Sequence, residues 1–193
     1  MRKTRGRMTA HTVSNDSHQT AQASRLLRAQ LELVAQSLPV VTWINPSWAF
    51  LSMIPFLIPS YLFGYVPVER VAAVMALHLA NSVLAVLFYR RFQADSSDNR
   101  GWLIRFTLLQ LEIGLCWGAT IWLLWVNGNA VNNVFVILPF VGVLWSYATS
   151  RSMHIGIYLA SVLPIVVLGS LRAATGSGAV AHGLTFALPL VFG

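Results

Sequence analysis

Residues 71–91 read VAAVMALHLANSVLAVLFYRR. The nineteen positions from Val71 to Tyr89 hold no Asp, Glu, Lys or Arg, and the run stops on the pair Arg90-Arg91. A helix needs roughly twenty apolar residues to cross ~30 Å of hydrocarbon. Length, composition and the basic stop read together as one membrane span.

Working outward, five further apolar stretches appear at about 40–64, 102–126, 134–149, 155–171 and 179–193. The expected fold class is therefore all-α: an integral membrane bundle of about six transmembrane helices. The chain carries 13 Lys and Arg. With a cytoplasmic N-terminus, only Arg70 and Arg172 fall outside. Cytoplasmic loops retain Lys and Arg, so this asymmetry sets the expected orientation. The expected location is a membrane that the chain crosses several times, with the N-terminus cytoplasmic.

Composition agrees. Apolar residues make up 56% of the chain and charged residues 10%. A soluble domain carries roughly 25% charged residues. The formal charge of +7 comes largely from Arg2, Lys3, Arg5, Arg7, Arg25 and Arg28 ahead of the first span, and from Arg90, Arg91, Arg100 and Arg105 around one loop. That placement suits anionic lipid headgroups, and the bilayer is the expected partner. A basic arm on DNA is the rival reading; no nucleic-acid partner is expected. The single cysteine, Cys116, excludes an intrachain disulfide and a cysteine-based metal site. The basic N-terminus lacks an adjoining apolar core, so it is not a conventional signal peptide.

Three regions follow. Residues 1–16 read as a disordered basic tail. Residues 17–39 read as a cytoplasmic amphipathic helix, with Leu27, Leu31, Val34 and Leu38 on one face. That helix could lie on the membrane, pair with its copy, or simply lead into the first span. Residues 40–193 form the bundle. Pro46, Pro55 and Pro59 should kink the first span, the fourth is short with Pro139 near its middle, and Pro164 interrupts the fifth. Arg151 and His154 mark a tight inner turn. The last stretch covers only ~22 Å at 1.5 Å per residue. We expect a truncated final helix with a cytoplasmic segment beyond it; a short, tilted or re-entrant helix is the alternative.

Ionisable groups deep in a bilayer are costly, on the order of 3 kcal/mol each. Glu112 lies roughly 10 to 15 Å inside the third span at 1.5 Å per residue. His78 and Asn81 share one face of the second span at comparable depth. Glu112, His78 and Asn81 form a candidate buried cluster, either a ligand or proton site or a hydrogen-bonded link between helices. Gln110 could join it, though it points to a different side of the third span. Gly114 and Gly118 form a Gly-x-x-x-Gly pair that permits close helix packing. The histidines match poorly in depth as paired haem ligands, and no zinc pattern appears. No metal and no cofactor are expected. No phosphate loop, nucleophile elbow or catalytic carboxylate pair is present, so no catalytic residue is assigned.

The stretch from Arg28-Ala-Gln-Leu-Glu-Leu-Val to Leu38-Pro39, the segment Gly114-Leu-Cys-Trp-Gly118, and the region from Leu138-Pro139 to Leu163-Pro164 resemble the N-terminal membrane region of bacterial diguanylate cyclases and related sensor histidine kinases. The resemblance covers roughly residues 25–193. It implies a sensory or anchoring module for a cytoplasmic Gly-Gly-Asp-Glu-Phe cyclase or kinase core, acting as a homodimer. The output domain itself is absent from this chain. The alternative is a small multi-pass transporter or membrane-complex subunit.

Overall fold

The computed structural model describes residues 19–39, 46–47, 50, 66–95, 98–152 and 154–175. Five helices organise them: α1 at residues 19–39, α2 at Val68–Ala94, α3 at Asn99–Leu124, α4 at Ala130–Arg151 and α5 at Ile155–Thr175. Helices α2 to α5 are each long and apolar enough to cross a membrane. The proposed first and sixth spans, and the basic tail, lie outside the described residues, apart from positions 46, 47 and 50.

Local chemistry explains where the helices start. Asp98 accepts a hydrogen bond from the Gly101 amide at 2.8 Å and caps α3. Asn129 accepts one from the Asn132 amide at 2.9 Å and caps α4. Each side chain satisfies an amide that has no partner within its own helix. Pro67 precedes α2, where its missing donor does no harm.

Two boundaries differ from the sequence reading. Helix α2 continues through Arg90 and Arg91 to Ala94. Arginine ends the hydrocarbon-compatible stretch but is itself a good helix former. Helix α4 is not short: its 22 residues span about 33 Å at 1.5 Å per residue. Both α4 and α5 run unbroken through Pro139 and Pro164. Each proline removes one donor, and neighbouring helices support the backbone around it.

The four long helices form an up-down array centred on α3. Helix α3 packs on α2, α4 and α5, with its most extensive contact on α5, and is the most buried of the four. Glycine makes that contact possible. A Cβ at Gly114 would sit 2.5 Å from the Ser161 carbonyl oxygen, and one at Gly118 would collide with the Leu168 side chain. The outward faces stay apolar: Val134, Leu138, Val141 and Trp145 recur every third or fourth residue along α4 and are exposed. Such a continuous apolar exterior fits lipid rather than water.

Helix α1 lies against the turn joining α2 to α3. Leu31, Val34, Ala35 and Leu38 are fully buried, and Leu27 packs beside them. Arg28 donates to the Asp95 carbonyl at 3.2 Å, and its guanidinium stands 4.1 Å from the Phe92 ring centroid. Asn99 donates to the Ser24 carbonyl and hydroxyl at 3.2 and 3.1 Å. Phe92, Trp102 and Phe106 form an aromatic cluster beneath, with centroids 5.1 to 5.9 Å apart.

Candidate functional site

The described bundle holds three separate buried polar groups. The first joins α2 to α3. His78 and Thr120 are buried, with His78 Nε2 and Thr120 Oγ1 3.0 Å apart. Thr120 already donates its hydroxyl proton to the Cys116 carbonyl at 2.9 Å. A hydroxyl that donates to that carbonyl is left to accept from His78 Nε2. The His78 ring also lies 4.4 Å from the Trp117 ring, and Trp117 meets Phe140 of α4 edge-on at 5.4 Å. His78 Nδ1 and both amide atoms of Asn81 have no partner among the described residues.

Glu112 stands apart from this pair. It is half-buried and accepts a hydrogen bond from the Cys116 thiol at 3.1 Å, one turn along its own helix. No hydrogen bond joins Glu112 to His78 or Asn81 among the described residues. Eight residues separate Glu112 from Thr120, about 12 Å along the axis at 1.5 Å per residue. His78 and Asn81 are thus neighbours on α2, while Glu112 sits at another level, and its Oε2 has no partner.

The second group lies nearer the α4–α5 turn, where α3, α4 and α5 meet. Arg151, in the last turn of α4, is 0% exposed. Arginines near span ends usually extend their charge outward to the interface. This one turns into the bundle. Its Nη1 donates to Ser161 Oγ at 3.2 Å, and its guanidinium stacks 3.8 Å from the Tyr147 ring centroid. Ser161 in turn shares its proton between Gln110 Oε1 at 3.2 Å and the Ile157 carbonyl at 3.0 Å. Among the described residues no carboxylate pairs with Arg151; the salt bridge found there joins Arg28 to Glu32.

The backbone positions this group. Gln110 lies one turn before Gly114, and the missing Cβ at Gly114 lets α5 approach until Ser161 reaches Gln110. Arg151 Nε and Nη2 and Gln110 Nε2 are buried without partners among the described residues. The group is rich in unused donors, a chemistry that suits an acceptor or an anion. The α4 carboxyl end offsets part of the positive charge, by up to about 1 kcal/mol at a helix terminus.

The structure puts Gln110 with Ser161 and Arg151, the arginine of the α4–α5 turn, and not with Glu112, His78 and Asn81. The available signal was Gln110 deep in an apolar span, opposite the face that carries Glu112. Nothing local indicates that Arg151 folds inward.

A third polar set closes the other end of the bundle and reads as structural. Asn132 donates to the Leu124 carbonyl at 3.1 Å, and Asn133 exchanges hydrogen bonds with the Val126 backbone at 3.0 and 3.1 Å. Arg172 donates to Asn127 at 3.0 Å and faces the Trp122 and Trp125 rings. Among the described residues, no three His, Cys, Asp or Glu side chains converge on a possible metal position.

No known protein family, curated protein or solved structure matches this chain.

Proposed function

We propose that this chain is the membrane sensory or anchoring module of a bacterial signalling protein. In this reading α2 to α5 cross the inner membrane, α1 and the α2–α3 turn face the cytoplasm, and the output domain is a diguanylate cyclase or a histidine kinase core. The observation that carries the reading is the docking of α1. Arg28 and Asn99 fasten it to the bundle at the α2–α3 turn. A shift of α2 against α3 would then be felt by a helix outside the apolar belt.

Such a module needs two packings of similar free energy, and a stimulus that favours one of them. The unpaired Arg151 guanidinium supplies the bias. It is poorly satisfied in the present packing, so a packing that offers it an acceptor gains stability. The His78–Thr120 bond acts at the α2–α3 contact, and Glu112, with one free oxygen, is the further candidate for a ligand or proton. A homodimer through α1 or an extension of the sixth span would carry the change to the output domain.

A second reading is favoured by one feature. A buried cation beside two proline-containing helices also suits a small transporter or a complex subunit that handles an anion. Sequencing the coding frame past codon 193 separates the two. A cyclase or kinase core in frame supports the signalling module. A stop codon directly after Gly193 removes the output and favours the transporter or subunit.

A further inference from the structure

We propose that the pocket between the end of α2 and the start of α3 holds the phosphate of an anionic membrane lipid. This inference does not rest on the signalling reading. The pocket has a volume of about 420 Å³ and is lined by Phe88, Arg91, Ala94, Asp95, Trp102 and Arg105. It opens at the bundle end where α2 and α3 leave the apolar belt. That is the level at which lipid phosphates lie.

Charge makes the first argument. Arg91 and Arg105 are exposed, come from adjacent helices and line the same pocket. Neither guanidinium donates a hydrogen bond to a described residue, so their donors are available. The one carboxylate in the pocket, Asp95, already accepts from the Trp102 indole at 3.2 Å. Two cations against one engaged carboxylate leave the pocket positive. Guanidinium groups bind phosphate oxygens through paired donors, which a lysine cannot do.

Geometry makes the second. The Arg105 guanidinium stands 4.9 Å from the Trp102 ring centroid, one helical turn nearer the α2–α3 turn. Its aliphatic stem therefore runs along the bundle surface and carries the charge toward the headgroups. Phe88 and the Trp102 indole give the pocket an apolar floor, matched to glycerol and the first acyl carbons. Exposed Leu108, one turn beyond Arg105 on α3, offers an apolar surface along which a chain would lie. A soluble phosphate would use the two arginines but gain nothing from that floor.

The test is lipid binding to the full chain in phosphatidylcholine nanodiscs, with phosphatidylglycerol titrated in and bound lipid counted by native mass spectrometry. Arg91→Gln with Arg105→Gln should weaken phosphatidylglycerol retention about thirtyfold, from the loss of two near-surface charge contacts. Arg90→Gln with Arg100→Gln removes equal charge from the same end, but neither side chain lines the pocket, so retention should fall clearly less than in the pocket variant. A circular-dichroism spectrum identical to wild type shows that both variants fold. Equal loss in the two variants overturns the proposal in favour of diffuse attraction. No preference for phosphatidylglycerol over phosphatidylcholine also overturns it. Inorganic phosphate binding as tightly as the lipid overturns the lipid as the source.

Discussion

Arg151 Nη1 meets Ser161 Oγ at 3.2 Å in the middle of the helix packing, and no described carboxylate balances the charge. One neutral hydroxyl and one aromatic face are thin compensation for a fully buried guanidinium. Removing a charge from an interior and filling its volume with an apolar side chain is often stabilising, by about 1–4 kcal/mol. Arg151→Met should therefore raise the unfolding midpoint of the purified protein in nanodiscs. A fall of comparable size would mean that Arg151 holds α4 to α5, and that its role is cohesion.

The α3–α5 contact should be far less tolerant at Gly114 than at Gly118. At Gly114 an added Cβ meets the Ser161 backbone carbonyl, which cannot move without shifting α5. At Gly118 it meets the Leu168 side chain, which can rotate away. Overpacking of this kind costs about 1–3 kcal/mol. We expect Gly114→Ala to be destabilising within that range and Gly118→Ala to lie near its lower end, measured by thermal unfolding. Equal effects, or a larger one at Gly118, would contradict the packing described.

Much of the fold was legible along the chain, because the four described spans announce themselves by length and apolarity. The polar interior was less legible, for a physical reason. A linear reading gives depth but not direction, and depth alone grouped Glu112 with His78 and Asn81. On the folded chain Glu112 takes its hydrogen bond from Cys116, four residues on. Arg151 escaped notice because an arginine at a span end normally faces water. Its inward turn depends on Ser161 arriving from α5, which depends in turn on Gly114.

Double-mutant cycles can separate these partners. His78→Phe with Thr120→Val should show a coupling of about 0.6 kcal/mol, the average for a hydrogen bond between membrane helices, with ~1.7 kcal/mol as an upper figure. His78→Phe with Glu112→Gln should be additive within about 0.3–0.5 kcal/mol, as expected of residues without a shared partner. Coupling of His78 to Glu112 above that range would restore the three-residue cluster.

Docking of α1 should depend on Arg28. Arg28→Ala removes the Asp95 carbonyl contact and the stacking on Phe92 together. A cation over an aromatic face contributes about 0.5–1 kcal/mol at exposed sites. Amide hydrogen exchange across residues 19–39 should speed up several-fold in the variant, while α3 exchanges as before. Unchanged exchange in α1 would show that Leu31, Val34 and Leu38 hold the helix without Arg28.

The most direct test is which end of the bundle faces the cytoplasm, since the signalling reading requires α1 and the α2–α3 turn to lie there. The chain has one cysteine, Cys116, which is buried, so a Cys116→Ser background permits single-site labelling. Gln93 near the end of α2 and Ala130 at the start of α4 are exposed at opposite ends. In intact cells a membrane-impermeant maleimide should label Ala130→Cys directly, and Gln93→Cys only after permeabilisation. The reverse pattern would place α1 outside the cell and contradict the account.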